Sequence, residues 1–274
     1  MLISHCHVFA KGKGNPGGEV DTGTNPAAGT LPDLRAVMQE VAVEKAVAFA
    51  PFDPQTDAKI EENEWLLAQL PDHPELIGFA SVDPKREDAG EKLRELIGRG
   101  MRGAKYHPPV MQTAIDDPAA EGFWAAAAEM KLPVHIHTGP HGWHLRRYEP
   151  LLLDDICRTH PDVRVIIDHM GCVPFFNQAL AVLQNNQNAY CGLTQMSGRS
   201  AVYALLEQNR QLLLQTVGPD RIIYGLDYPW NPHNLTALRQ DIQWVSTWGL
   251  REDDMAKILG GNIERLLSEI QPPK

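Results

Sequence analysis

The stretch LPVHIHTGPHGWHLRRYEPLLLDDICRTHPDVRVIIDHMG occupies residues 132–171 and contains one complete unit of the predicted fold. A short hydrophobic run at 132–137 is followed by a helix candidate at 148–160 and by a second hydrophobic run at 163–169. Strand, helix and strand in this order predict a right-handed crossover that joins two parallel strands. Both runs end in a histidine, which predicts polar groups at one edge of the sheet.

The same alternation extends over the rest of the chain. Further strand candidates lie at 2–8, 45–51, 76–82, 101–107, 189–193 and 221–227. Helix candidates lie at 31–44, 57–70, 86–99, 119–131, 175–187, 200–216 and 234–247, with a C-terminal helix at 251–269 within residues 251–274. Eight strand candidates, alternating with helices, predict an α/β fold of the closed (β/α)8 TIM-barrel type. A barrel of this size is expected to form a single domain over residues 1–274.

Composition restricts the class of protein. The chain has 274 residues, is 43% hydrophobic and 22% charged, and carries a formal net charge of −10, which argues against binding nucleic acid. The N-terminal residues enter a strand directly and predict neither a signal peptide nor a membrane span. The cysteines lie far apart without CxxC spacing, as expected for reduced thiols. We expect a cytoplasmic protein that binds a small-molecule substrate, with homo-oligomer formation left open.

The most informative residues lie at the carboxyl ends of predicted strands. They are His5, His7, His137, His169 and Asp227. In a parallel barrel these strand ends meet at one face, where the loops to the helices emerge, so the side chains are expected to converge. Residues two apart on a strand share a face, so His5 and His7 are both expected to point inward.

Imidazole and carboxylate groups are the ligands of catalytic zinc, manganese and iron, and such sites keep one position open. We therefore predict one divalent metal ion per chain, held by His5, His7, His137 and Asp227. Such an ion lowers the pKa of a bound water towards ~7, and Asp227 is the expected general base. His169 is expected to donate a hydrogen bond to the substrate carbonyl or to the oxyanion formed from it. Asp168 points the other way on a regular strand and is interpreted as structural.

Several motifs together resemble the amidohydrolase superfamily, particularly its amidohydrolase-related branch of small metal-dependent hydrolases and decarboxylases. They are HCH at 5–7, GAKYHP at 103–108, LPVHIHTG at 132–139, VIIDHMG at 165–171, IIYGLDYP at 222–229 and ILGGNIERLL at 258–267. The resemblance implies a distorted barrel with a mononuclear site, usually zinc, at the four predicted ligands, and a catalytic role for His169. Ser4 departs from the family pattern, which usually has aspartate there, and Cys172 stands where glycine is common.

Other polar residues are expected around this site as substrate contacts. They are Lys105, His107, His141, Arg146, Arg199 and Trp230. The arginines would suit a carboxylate on the substrate and Trp230 a ring, although surface charge and packing under loops explain these residues equally well. In binuclear relatives a lysine near Lys105 is carboxylated and bridges two metals, but a polar contact is favoured here. His135 is interpreted as a buried, hydrogen-bonded residue that fills the barrel interior. Residues 11–30 are interpreted as an active-site lid.

These patterns together predict a metal-dependent hydrolase that acts on a small, carboxylated substrate such as a lactone, cyclic amide or ester. Three alternatives stay open. They are a non-oxidative decarboxylase that uses the same residues, a metal-independent hydrolase of the lactonase type, and a barrel that binds a ligand without catalysis.

Overall fold

The computed structural model describes residues 1–9, 29–49, 59–194, 200–229 and 234–273. The predicted lid, except for its last two residues, lies outside the described residues. So do Arg199 and Trp230, two of the predicted substrate contacts.

Eight parallel strands form the centre of the fold, in the order β3-β2-β1-β8-β7-β6-β5-β4. Their bounds are β1 Leu2–His7, β2 Lys45–Phe49, β3 Leu76–Phe79, β4 Ala104–Tyr106, β5 Pro133–His137, β6 Arg164–Asp168, β7 Ala189–Thr194 and β8 Ile222–Tyr228. A parallel bridge between Ala80 and Ala104 joins the two outer strands of this order. The sheet therefore curves into a nearly closed barrel, which confirms the predicted (β/α)8 fold as a single domain.

Helices follow the strands around the barrel. They are α1 Leu31–Glu40, α2 Lys59–Gln69, α3 Ala89–Gly98, α4 Pro108–Met111, α5 Glu121–Glu129, α6 Leu152–Thr159, α7 Cys172–Asn185, α8 Ser200–Thr216, α9 Asn234–Ser246, α10 Glu252–Ala256 and α11 Asn262–Ser268. In α3 the buried residues Leu93, Leu96 and Ile97 recur at helical spacing, so one face packs inward. No helix among the described residues has the length and apolar character needed to cross a membrane.

Two apolar layers hold the barrel. Side chains such as Val47, Phe79 and Ile166 form the inner cluster, and Leu266 from α11 packs against them. A larger cluster fills the space between the strands and the surrounding helices. All four cysteines are buried, and no disulfide joins them.

The predicted C-terminal helix 251–269 differs from the observed one because it is interrupted. Residues Lys257–Gly261 form a π-type turn, and Gly260 has a φ of +148°. A Cβ at Gly260 would lie 2.7 Å from the backbone nitrogen of Leu2, so the helix kinks where it passes the start of β1. Asn262 then donates to the carbonyl oxygens of Pro219 and Ile222 at 2.7 and 2.8 Å, which fixes α11 to the start of β8.

Candidate active site

Two histidines of β1 meet the aspartate of β8 at the carboxyl end of the barrel. The Nε2 atom of His5 lies 3.0 Å from Oδ1 of Asp227, and Nε2 of His7 lies 3.6 Å from the same oxygen. All three residues are buried. Lone-pair atoms this close in a buried site repel each other unless a proton or a cation lies between them.

The His169 side chain is held at this site through Thr194, the last residue of β7. The Thr194 hydroxyl accepts the backbone N–H of His169 at 2.9 Å and lies 2.9 Å from Nδ1 of the same residue. Nε2 is therefore the ring nitrogen left for other partners. Ligand atoms of His5, His169 and Asp227 all lie within 4.8 Å of one another.

The His137 ring also packs against His169, with their ring centroids 4.9 Å apart. The His137 ring stacks on His107, with centroids 4.0 Å apart and an interplanar angle of 11°. The His141 ring packs against both, at 5.2 Å from His137 and 4.8 Å from His107. The Nε2 atom of His137 is buried and forms no hydrogen bond within the described part of the chain. This nitrogen is therefore available to coordinate a metal ion or to contact a substrate.

A second layer of polar groups lies beneath these residues, centred on Asp168 of β6. Its Oδ2 atom accepts from Nζ of Lys105 at 2.5 Å, and its Oδ1 atom lies 2.7 Å from Nδ1 of His135. Nδ1 of His5 is 3.2 Å from the same Oδ1. Asp168 is fully buried. The expectation that Asp168 points away from the barrel interior is therefore wrong.

Asp168 and His169 both reach inward because the backbone leaves the extended conformation between them. His169 has a φ of +60° and Met170 a φ of +49°, in the left-handed region. Side chains alternate only along a regular strand, and β6 ends at Asp168. His5 and Asp227 have positive φ as well, +65° and +58°. Local irregularity at these strand ends thus places more polar side chains in the site than alternation alone predicts.

Burial keeps most of the site's histidines neutral. It lowers the pKa of His7, His107 and His137 well below the ordinary value, and that of His169 to about 4. At neutral pH these imidazoles therefore offer a lone pair on one nitrogen and a hydrogen on the other.

The carboxylates and His5 shift in a different way. Burial would raise the pKa of Asp227 and Asp168, but nearby positive groups, first of all His5, hold both below the usual range. For His5, burial is the largest single influence and lowers the pKa, but the charges of Asp168 and Asp227 together outweigh it, and the pKa is raised. The site therefore contains two ionised carboxylates with His5 between them.

The structure gives less direct support to two other predicted substrate contacts, Lys105 and Arg146. Lys105 is buried and paired with Asp168, and a negative carbamate on its nitrogen would be repelled by that carboxylate. Arg146 is exposed in the short turn Leu145–Arg147 after β5, and its role in substrate binding stays a prediction. Sequence reasoning missed Thr194, since a threonine that ends a strand carries no chemical signal of its own.

The donor set fits a divalent metal ion. Neutral imidazole nitrogens and a carboxylate oxygen are suitable ligands, and the buried Nε2 of His137 lacks a partner among the described residues. His5 Nε2 and Asp227 Oδ1 are 3.0 Å apart and would both hold such an ion, which would offset the repulsion between their lone pairs. The group of ligand atoms that lie within 4.8 Å of one another around Asp227 contains His5 and His169, but neither His7 nor His137.

Barrel enzymes have their catalytic groups at this carboxyl-end face, and the histidines and the aspartate found here are suited to a metal-dependent enzyme. The family model described as Amidohydrolase matches residues 4–268. The chain therefore belongs to the amidohydrolase family, which is a family of enzymes, and the resemblance inferred from its motifs is confirmed.

Solved structures share the fold over nearly the whole chain at low sequence identity. A dihydroxybenzoic acid decarboxylase from Polaromonas, with bound manganese and the inhibitor 2-nitroresorcinol, is 17% identical, with a TM-score of 0.74 over 97% of this chain and 96% of its own. A protein described as a 2-pyrone-4,6-dicarboxylic acid hydrolase from Pseudomonas putida is 18% identical, with a TM-score of 0.70 over 98% and 97%. An amidohydrolase from Burkholderia multivorans with bound zinc is 18% identical, with a TM-score of 0.70 over 97% and 98%. A search of curated proteins finds no match.

Proposed function

We propose that the protein is a metal-dependent hydrolase of a small, carboxylated molecule such as a lactone, cyclic amide or ester. The observation that carries the proposal is the approach of His5 and His7 to one oxygen of Asp227 in a buried site. With His137 these residues would hold one divalent ion, zinc or manganese by analogy with the metals in the fold relatives. When bound, the ion supplies Lewis acidity and lowers the pKa of water enough for attack at neutral pH.

Asp227 is assigned the role of general base. Its lowered pKa keeps it a carboxylate at neutral pH, so it can accept a proton from the attacking water and return it to the leaving group. The nearby His5 and His7 fix its Oδ1 atom, which leaves Oδ2 as the atom that handles the proton.

His169 is assigned the role of hydrogen-bond donor to the oxyanion. The Thr194 hydroxyl accepts the His169 backbone N–H and can direct its own hydrogen to Nδ1. Nδ1 is then an acceptor, and the ring hydrogen of the neutral imidazole is on Nε2. An Nε2–H group stabilises negative charge on the substrate oxygen but cannot ligate a metal. This tautomer is the reason to assign His169 a role beside the ligand set.

The rim of the site is suited to binding the rest of the substrate. His107 and His141 pack around His137 at the mouth, and His141 is exposed. Imidazole N–H groups there can donate to a substrate carboxylate. Lys105 is assigned no direct substrate contact, because its ammonium is already paired with Asp168.

Elemental analysis of the purified protein, beside a His5→Ala/His7→Ala variant, tests the metal site. We expect about one zinc or manganese per chain, lost in the variant. Screening carboxylated lactones, cyclic amides and esters with the metal-loaded protein then tests the reaction. Full turnover by metal-free protein in the presence of a chelator would contradict the metal-dependent assignment and favour a metal-independent lactonase.

A non-oxidative decarboxylase is the second candidate. The observation that favours it is the match to a dihydroxybenzoic acid decarboxylase over 97% of this chain. In that case the same residues would bind the substrate carboxylate and an adjacent oxygen, and a proton would be delivered to carbon. Release of carbon dioxide from aromatic carboxylic acids, with no hydrolysis of lactones or esters, would identify the decarboxylase.

A further inference from the structure

A buried polar cluster lies directly beneath the proposed metal ligands. Asp168 is at its centre and contacts Lys105, His135 and His5, at 2.5, 2.7 and 3.2 Å respectively. All four side chains are at most 3% exposed. They come from four different strands, β6, β4, β5 and β1. The cluster therefore links these strands directly below the proposed metal ligands.

An ion pair in this position is expensive to bury. Removing Asp168 and Lys105 from water costs several kcal/mol per ion, and their mutual attraction does no more than offset that cost in many proteins. Stability alone therefore gives a weak reason for the pair. Because the two charges cancel, however, the carboxylate can approach His5 without adding net negative charge to a site that already holds Asp227.

The surroundings of His5 indicate which nitrogen of its ring faces which partner. Nε2 lies 3.4 Å from the Lys105 ammonium, which can only donate, and 3.0 Å from Oδ1 of Asp227, so a lone pair on Nε2 suits Lys105 and suits Asp227 once the two share a cation. When His5 binds the metal through Nε2, its remaining ring hydrogen is on Nδ1. The nearest carboxylate to Nδ1 is Asp168, at 3.2 Å, and Nδ1 forms no well-aligned hydrogen bond within the described residues.

We propose that Asp168 is a positioning residue that accepts the Nδ1–H of His5 and thereby keeps the Nε2 lone pair of His5 available to the metal ion that His5 and Asp227 would share. Lys105 keeps the carboxylate charged, and His135 fixes its orientation by bonding to the same Oδ1 atom. Carboxylates that bond the far nitrogen of a metal-bound histidine set its tautomer and increase its basicity. The inference rests on the metal site of the proposed function, in which His5 is a ligand through Nε2.

The first experiment uses the wild-type chain loaded with Zn2+. Long-range 1H–15N spectra of the histidine rings distinguish metal-bound, protonated and free nitrogens. We expect His5 to bind zinc through Nε2 and to retain a slowly exchanging hydrogen on Nδ1. Binding of zinc through Nδ1 of His5, or absence of His5 from the ligand set, overturns the proposal without any variant.

The second experiment measures the dissociation constant for Zn2+ by competition with a chelator. The double variant Lys105→Met/Asp168→Leu removes both charges together, so neither is left buried alone. We expect its affinity for Zn2+ to fall by about 10–100-fold and the Nδ1 hydrogen of His5 to exchange rapidly. The matched control is Asp241→Asn, another buried aspartate, which accepts from the Tyr224 hydroxyl at 2.9 Å on the outer side of β8. The control is expected to leave both readouts unchanged.

The outcomes separate the two proposals. Unchanged zinc affinity and an unchanged Nδ1 hydrogen in the folded double variant overturn the role of Asp168 alone. Failure of the wild-type chain to bind Zn2+ at all overturns the metal site of the proposed function. If the double variant does not fold, the ring spectra of the wild-type chain decide the question.

Discussion

Replacing Thr194 by valine should disconnect His169 from the strand that holds it. Thr194 is 1% exposed, and its hydroxyl is 2.9 Å from both the backbone nitrogen and Nδ1 of His169. Valine has nearly the same shape, so packing is retained. The two polar groups of His169 that contact the hydroxyl, however, lose their partner. The backbone N–H of His169 then has no acceptor, and its ring can adopt either tautomer.

The expected loss of stability follows from these two contacts. A buried polar group left without a partner costs about 1–3 kcal/mol, and two such groups, offset in part by no longer burying a hydroxyl, give a net loss of roughly 2–4 kcal/mol for Thr194→Val. Thr194→Ser keeps the hydroxyl and removes one methyl group, which costs about 1 kcal/mol. The methyl is well packed, because a Cβ at Gly225 would lie 2.6 Å from it.

Urea unfolding of the wild type and the two Thr194 variants measures these free energies, and the 1H–15N ring spectra report the His169 tautomer. We expect the serine variant to be more stable than the valine variant and to retain the hydrogen on Nε2 of His169. Valine with wild-type stability, or serine more damaging than valine, would refute the assignment of the hydroxyl as the group that holds His169. Either result would also remove the reason to place the hydrogen of His169 on Nε2.

Other predictions test the reaction, the metal and the packing of the barrel. Asp227→Asn should abolish most turnover, whichever substrate is found, because the amide cannot accept the proton from water; near-normal turnover in a steady-state assay contradicts its role as base. Removal of the metal by chelation should lower the stability by about 2.7 kcal/mol relative to protein held at 100 times the dissociation constant, and a melting temperature that does not change argues against a resident ion. Gly90→Ala should cost about 1–3 kcal/mol, because its Cβ would lie 2.4 Å from the carbonyl oxygen of Gly122 in the neighbouring helix. The matched Gly122→Ala should be neutral in the same thermal unfolding assay, since its Cβ would have no neighbour closer than 4.0 Å.

The order of strands and helices could be predicted from the sequence because hydrophobic period and turn residues are local signals. The runs predicted at 132–137 and 163–169 form the strands Pro133–His137 and Arg164–Asp168, close to the expected bounds. The convergence of His5, His7 and Asp227 could also be predicted, since parallel strands present their carboxyl ends at one face of a barrel. Topology alone therefore brings together residues more than two hundred positions apart.

The lower layer of the site could not be predicted in the same way. Asp168 was expected to face the helices because alternation was continued through His169, whereas the backbone turns left-handed at His169. A residue in that conformation turns its own side chain out of the alternating pattern, and the sequence period cannot reveal it. The hydrogen bond between Thr194 and His169 could not be predicted for a similar reason, since it depends on the register of β6 against β7. Helix bounds near Gly260 depend on how close the helix passes to Leu2, which is likewise a tertiary contact.

Left-handed backbone at His5, His169 and Asp227 connects the fold to the chemistry. Each residue has a Cβ and a φ near +60°, a conformation that costs about 1–3 kcal/mol unless the surroundings compensate. Histidine and aspartate tolerate this region better than β-branched residues, so the side chains needed for chemistry are also among those that accept the geometry. The closed barrel fixes both ends of every strand, and contacts such as that of Asp168 with Lys105 hold the strand ends from below. The strain is then maintained by the same polar layer that orients His5, so weakening this layer should affect the site before it affects the barrel.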